Sequence, residues 1–383
     1  MRMPCNCPFT HFEVNNPNGD VTFCSVHNMV LGNVNKNSIE EIWNGEAYRR
    51  VRRDFLDGRI FKVCSPRCPV LKGWKDFEKI DWYDELPDDS NAYKNAVLNE
   101  EEMAGGKVEL MSRPRWLRFA ASYACNLKCY HCSQRPDRSA GLRLPDSFFE
   151  DLKRHLDAAQ MVFFYGGEPL IEKSNLDLME YMSRERFPAR VFFISNGTVL
   201  NEKIKTILEK LNFGYLDVSI DSVDESLYEE LRYPAKFADT MEHLRFLSAL
   251  IKKKGGRLFF SMTINKKNQN ELIRYIKFSM DLGAAPFFQF AHNTFKEKKF
   301  REKYEIFSIK EHRDVRRHLL EARTFLRAID LPLTSKNIDY LLTYSYHCTS
   351  IRKKMEVFVS KNLPVVKRML KKIQVSGADE RGF

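Results

Sequence analysis

Between residues 115 and 291, short apolar runs alternate with amphipathic stretches, and this alternation restricts the fold of the 383-residue chain most. The runs 116–121, 161–165, 190–195, 215–220, 257–264 and 287–291 read as strands. The stretches 146–158, 174–186, 201–211, 239–254 and 268–282 read as helices. Strands joined in sequence by helices run parallel, so the class is α/β. Six such units predict an α/β barrel or an open parallel sheet. Chemistry then belongs in the loops that follow the C-terminal ends of the strands.

Those loops are unusual in composition. The first strand is followed by Cys125-Asn126-Leu127-Lys128-Cys129-Tyr130-His131-Cys132. Three thiolates in eight residues can hold three irons of a [4Fe–4S] cube and leave the fourth iron open to an outside ligand. After the second strand comes Tyr165-Gly166-Gly167-Glu168-Pro169, where paired glycines allow close backbone approach and Glu168 offers a carboxylate to a cation. Ser195-Asn196-Gly197-Thr198 follows the third strand, and Ser219-Ile220-Asp221-Ser222 ends the fourth, with Arg232 downstream. Each of these has an ordinary reading alone: Gly-Gly and Asn-Gly make turns, and Ser or Asp at a strand end satisfies backbone.

Residues 1–72 carry five of the nine cysteines: Cys5, Cys7, Cys24, Cys64 and Cys68. An extended stretch, His11 to Val14, a turn over 15–20 and a strand from Val21 to Cys24 predict a hairpin. Ser38 and Glu41 form a capping-box pattern that opens a helix at Ile39, and a second helix continues to about Phe55. Four cysteines, from the hairpin and from the pair Cys64 and Cys68, then make a closed four-thiolate set, which suits an iron–sulfur cluster or tetrahedral zinc. An odd cysteine count without a signal-peptide pattern argues against a disulfide scaffold. Residues 73–114 read as a linker with a helix from Ala92 to Met103.

The formal charge is +11, with 30% charged and 43% hydrophobic residues. Lysines and arginines are scattered among acids along helices, which favours solvated faces over nucleic-acid binding. No apolar run approaches a membrane span, so the chain reads as soluble and cytoplasmic. Residues 292–383 form a helical region: a polar, basic stretch from His292 to Lys303, a helix from Ile309 to Ile329 and a basic segment from Ile351 to Gln374. Cys348 stands apart from the other cysteines and reads as packing.

In order and spacing, the loops of 115–291 resemble the radical SAM superfamily, which implies a partial (β/α)6 TIM-like barrel. The spacing of Cys7, Gly19 and Cys24, the run Leu31-Gly32-Asn33-Val34, the segment Ser38 to Asn44 and the closing pair Cys64 and Cys68 resemble a SPASM domain; SPASM and Twitch domains hold auxiliary clusters in such enzymes. This one precedes the barrel instead of following it, and has five cysteines where a full SPASM domain has seven. The resemblance implies that Cys125, Cys129 and Cys132 bind the catalytic [4Fe–4S] cluster, and that S-adenosylmethionine chelates its open iron. It also implies one auxiliary [4Fe–4S] cluster on Cys7, Cys24, Cys64 and Cys68. Gly166, Gly167, Glu168 and Pro169 would receive the methionine ammonium, and Ser219 and Arg232 its carboxylate. Ser195, Asn196, Asp221 and His131 would be further contacts to the cofactor. The implied activity is reductive cleavage of S-adenosylmethionine, then hydrogen abstraction from a peptide or protein side chain. Small-molecule substrates and glycyl-radical activation are the neighbouring alternatives, and a non-catalytic iron–sulfur electron carrier the more distant one. A one-electron reductant such as flavodoxin or ferredoxin would be the partner.

Overall fold

The computed structural model describes residues 6–24, 29–65, 68, 86–132, 134, 141–291, 302–306 and 308–349. Cys5, the basic stretch from His292 to Arg301 and the basic segment after Ile351 lie outside the described residues, and the side chain of Cys348 is not among those described. By its contacts the chain divides into two units, one of residues 1–261 and 278–285, the other of 262–277 and 286 onward.

The first unit is built on a sheet of strands β1 (His11–Val14), β2 (Asp20–Thr22), β3 (Gly32–Asn33), β4 (Trp116–Ala120), β5 (Met161–Tyr165), β6 (Arg190–Ser195), β7 (Phe213–Ser219) and β8 (Arg257–Ile264), which runs on into the second unit. The order is β3-β2-β1-β4-β5-β6-β7-β8, followed by β9 (Ala285–Phe290). Neighbours from β4 to β8 are parallel, as the βα alternation requires. The sheet has two ends and is not closed. Its less expected feature is at the N-terminal side. β1 pairs in parallel with β4, Phe12 beside Leu117 and Glu13 beside Arg118, so the cysteine-bearing hairpin extends the same sheet.

Alternation along the strands separates two faces. Leu117, Phe119, Val162, Phe164, Val191, Phe193, Leu216 and Val218 are buried on the helix-covered outer face. There Phe119 meets Phe148 and Phe149 of α6 (Asp146–Lys153) edge-on, with ring centroids 5.7 and 5.8 Å apart. Burying a side chain of this size contributes roughly 1.5–3 kcal/mol, and Phe119→Ala would cost about 3–5 kcal/mol. On the inner face, Met161, Phe163 and Phe192 form a small core against Trp116, Tyr165, Ile194 and Tyr215.

Several elements differ from the expected ones. α6 ends at Lys153 rather than 158, and turns carry the buried Leu156, Ala158 and Ala159. A short helix, Glu225–Leu231, capped by Asp224, precedes Arg232; no apolar periodicity announces a helix this brief. The helix Asn91–Ala104, expected within a linker, is a buried strut. Its inward positions are polar or small: Ala92 and Ala96 are buried, Asn99 donates to the Phe9 carbonyl at 2.8 Å, and Glu102 accepts from the Met111 and Ser112 amides at 2.7 and 3.1 Å. Beside it the guanidinium of Arg52 lies 4.2 Å from the Trp43 ring and donates to the Pro8 and Val108 carbonyls, each at 3.0 Å.

In the second unit, the helix Ile309–Leu326 opens on a capping box of Ser308 and Glu311 and buries Val315, Leu319 and Leu326, while Leu320 is exposed. A helix that the sequence reading missed, Pro332–Thr349, packs on it, and Ser345 donates to the His312 carbonyl at 2.7 Å. Proline at the first position suits a helix start, where its missing N–H leaves no bond unmade. Asn337 exchanges two hydrogen bonds with the Phe288 backbone at 2.8 and 2.9 Å. Among the described residues, no helix is long and apolar enough to cross a membrane.

Candidate active site

The eight-residue cysteine loop leaves β4 and is tied down from several sides. Leu127 is buried beneath it, and the Lys128 amide donates to the Tyr233 carbonyl at 2.6 Å. Cys129 is buried, while Cys125 and Cys132 are half-buried. Two N–H groups point at the Cys125 sulfur, the Leu127 amide at 3.5 Å and Asn196 Nδ2 at 3.7 Å. Donors of this kind favour a thiolate and tune what it ligates. Cys129 has the opposite setting: burial pushes its thiol up to about 12, against the pull of Arg232. A metal centre would supply the positive charge that keeps such a sulfur deprotonated.

The glycine loop after β5 lies directly against this one. The Gly167 amide donates to the Ser122 carbonyl at 3.0 Å, and the Glu168 amide to the Ala124 carbonyl at 2.8 Å. Gly166 has φ +123°, which side chains disfavour, and a Cβ on Gly167 would overlap the Ala124 carbonyl oxygen. The pair is therefore required by the approach of two backbones.

Glu168 is buried and is the hub between β5 and β6. Its Oε1 accepts from the Leu170 amide and Ser195 Oγ at 3.2 and 3.0 Å, and its Oε2 from the Asn196 amide at 2.7 Å. Burial outweighs these donors and pushes the carboxyl up to about 7. A carboxylate offers about four lone-pair sites, so these bonds leave capacity for one further donor. Pro169 follows, with its carbonyl accepting from Asn175 at 3.3 Å. Asn196 then links loops: Nδ2 donates to Asn126 Oδ1 at 2.9 Å, while Asn126 donates to Thr198 Oγ1 at 2.8 Å. Asn126 and Thr198 were not singled out in the sequence, although both lie inside the quoted motifs.

The third group gathers on Asp221, which is fully buried. Arg232 Nε stands 2.7 Å and His131 Nε2 3.0 Å from Asp221 Oδ2. The cysteine loop, the end of β7 and the end of the short helix are thereby held at one carboxylate. Ser219 closes β7 on the inner face, half-buried and in register with Ser261. Spacing could not reveal that Arg232 and Asp221 form a buried pair, since that depends on where the short helix ends.

The cysteines of the N-terminal segment come from separate elements. Cys7 opens α1 (Cys7–Thr10), Cys24 follows β2, and Cys64 caps the helix Ile60–Val63. α1 and the helix Ile60–Val63 both pack on the helix Glu46–Leu56. Cys64 and Cys68 are buried, Cys7 and Cys24 half-buried, and none of the seven described cysteines forms a disulfide. Among the described residues no three His, Cys, Asp or Glu side chains converge on a single metal ion. A four-iron cube takes its thiolates one per corner, so its ligands do not meet at a point. The thiol donors, the N–H groups at Cys125 and the close-set glycine backbone fit a cluster with an open iron.

Residues 121–279 match the family model of the radical SAM superfamily, and residues 5–69 match that of an iron–sulfur cluster-binding domain. The first of these implies S-adenosylmethionine and a [4Fe–4S] cluster, and the second implies auxiliary cluster binding. The AdoMet-dependent heme synthase of Methanosarcina barkeri is 23% identical over 189 residues, 48% of this chain and 52% of that protein. The antilisterial bacteriocin subtilosin biosynthesis protein AlbA of Bacillus subtilis is 25% identical over 270 residues, 61% and 56% of the two chains. The mycofactocin maturase MftC of Mycobacterium tuberculosis is 22% identical over 176 residues, 45% and 44%. The chain thus spans about half the length of these relatives. Among solved structures, Streptococcus suis SuiB bound to S-adenosylmethionine aligns at 13% identity and a TM-score of 0.44, over 76% of this chain and 60% of that one.

Proposed function

For a chain that carries a radical SAM domain behind an N-terminal iron–sulfur cluster-binding domain, we propose an enzyme that cleaves S-adenosylmethionine reductively and abstracts hydrogen from a peptide or protein side chain. The observation that carries the reading is the docking of the glycine loop onto the cysteine loop, with buried Glu168 bonded to β6 behind it. When bound, a [4Fe–4S] cluster would supply the electron that splits S-adenosylmethionine into methionine and a 5′-deoxyadenosyl radical.

Cys125, Cys129 and Cys132 are the three ligands in this reading. Asn196 orients Cys125 and bridges to the loop through Asn126. The remaining acceptor capacity of Glu168, with the Gly166-Gly167 backbone, serves the methionine ammonium. Ser219 and Arg232 serve its carboxylate, with Asp221 fixing Arg232 through Nε and His131 over the cysteine loop. Burial of Glu168, Asp221 and Cys129 keeps water from this part of the site. Cys7, Cys24, Cys64 and Cys68 would hold one auxiliary [4Fe–4S] cluster that relays electrons or anchors substrate. A flavodoxin- or ferredoxin-type protein would be the reductant, in a cytoplasmic setting. The peptide class is supported by relatives in bacteriocin biosynthesis and mycofactocin maturation.

The test is anaerobic reconstitution followed by incubation with S-adenosylmethionine and dithionite. The expected products are 5′-deoxyadenosine and methionine, from a protein holding iron and sulfide. Zinc without iron, and no cleavage, would contradict the reading.

A further inference from the structure

The inner face of the sheet changes character along the strands. Toward their N-terminal ends it is filled by Met161, Phe163 and Phe192, all buried. One pleat further on, register aligns Ile194, Asp217 and Phe259 in a row, and the next row pairs Ser219 with Ser261. Side chains paired in register share a face. Ile194, Tyr215, Asp217, Ser219 and Phe259 are half-buried there, without the full burial of the outer face. Asp217 thus lies on this face beside the strand end that carries Ser219, and it feels the charge of Arg232.

The basic side chains around this row are engaged with other groups or, like Arg257 in register with Tyr215, are exposed. Arg118 stands 3.8 Å from Glu13 and is stacked on Phe163 and Tyr165, and Arg232 is paired with Asp221. Asp217 receives only the hydroxyl of Ser261, at 2.7 and 2.8 Å from its two oxygens, and among the described residues no basic side chain forms an ion pair with it. One hydroxyl proton leaves most of a carboxylate's acceptor capacity unused. A half-buried carboxylate without a cation is costly, and its neighbours offer aromatic surface: the rings of Tyr215 and Phe259 are 5.5 Å apart, nearly perpendicular. Carboxylate beside aromatic rings is a setting that favours a protonated amine on an apolar stem.

We propose that Asp217, positioned by Ser261, is a substrate-binding residue that accepts a protonated amine, with Tyr215, Phe259 and Ile194 receiving the apolar stem that bears it. The proposal rests on the reading of the site as a radical enzyme and names its substrate class: a peptide presenting a lysine-type side chain or an amino terminus. S-adenosylmethionine is also a cation that a carboxylate can attract, so the experiment separates the two sources. With the reconstituted full chain, calorimetry would measure binding of α-N-acetyl-lysine methylamide, of its neutral analogue α-N-acetyl-norleucine methylamide, and of S-adenosylmethionine. The wild-type protein should bind the lysine probe at least tenfold more tightly than the norleucine probe. Asp217→Asn should erase that preference and leave S-adenosylmethionine affinity within about twofold, and Ser261→Ala should reduce the preference without erasing it. Equal binding of the two probes by the wild-type protein, an unchanged preference in Asp217→Asn, or a loss confined to S-adenosylmethionine would overturn the proposal. If the wild-type protein preferred the lysine probe yet never formed 5′-deoxyadenosine, the enzyme reading would fail while the amine site stood.

Discussion

The two cysteine regions of this chain are organised in opposite ways. Cys125, Cys129 and Cys132 sit in one eight-residue loop, and a backbone-to-backbone seat on the glycine loop fixes it. Cys7, Cys24, Cys64 and Cys68 are spread over 62 residues, at the ends of elements set by a packed knot of Trp43, Tyr48 and Arg52. The first region is short-range in sequence and demanding in backbone. The second is long-range, and its geometry depends on buried polar side chains in the helix Asn91–Ala104 and on the pairing of β1 with β4. A site of the first kind should break at a single atom, one of the second kind by loss of tertiary packing.

That contrast can be broken experimentally. The largest effect is expected from Gly167→Ala, whose Cβ would overlap the Ala124 carbonyl. The loops must separate, and iron held by the barrel loop should fall by more than half while the N-terminal iron stays. Unchanged iron in anaerobically reconstituted protein would show that the seat is not needed. Next is Asp221→Asn, which leaves Arg232 buried beside a neutral group, a change costing about 3–4 kcal/mol. S-adenosylmethionine affinity should drop at least tenfold by equilibrium dialysis. Arg52→Lys keeps the charge but loses the forked contacts to the Pro8 and Val108 carbonyls, costing about 2 kcal/mol. Urea unfolding should show it, with N-terminal iron lost before barrel iron.

The smallest effect concerns pH. Burial raises the Asp217 carboxyl from its ordinary value to about 6. A group raised in this way contributes stability that is fully present below the unfolded value and lost as pH rises through about 6. The ionised Asp217 then carries a cost, roughly 1 kcal/mol once its partial exposure is allowed for. Asp217→Asn should therefore gain on the wild type between pH 5 and pH 8, read as a difference in Tm. A variant whose Tm difference is the same at both pH values would place Asp217 in ordinary solvent.

How legible each region was follows from the same contrast. The parallel order of β4 to β8 could be read from apolar runs, because each strand is buried on its helix side by Leu, Val and Phe. The cysteine and glycine loops could be read because their chemistry is contiguous. The pairing of β1 with β4 could not, since no pattern within His11–Val14 names its neighbour. The helix Asn91–Ala104 could be read, but not its burial: its buried positions are Asn95, Asn99 and Glu102 with the small Ala92 and Ala96, so no stripe of large apolar residues marks a packed face. Asp217 was overlooked for a related reason: two residues before the motif serine, it belongs to the pleat of the strand rather than to a loop.

The most direct test compares Cys129→Ala with Cys64→Ala for 5′-deoxyadenosine formed from S-adenosylmethionine and dithionite, after anaerobic reconstitution. The account predicts no 5′-deoxyadenosine above background from Cys129→Ala. It predicts continued cleavage, uncoupled from substrate, by Cys64→Ala at reduced iron content. Cleavage surviving in Cys129→Ala would contradict the assignment of the barrel loop as the reaction centre.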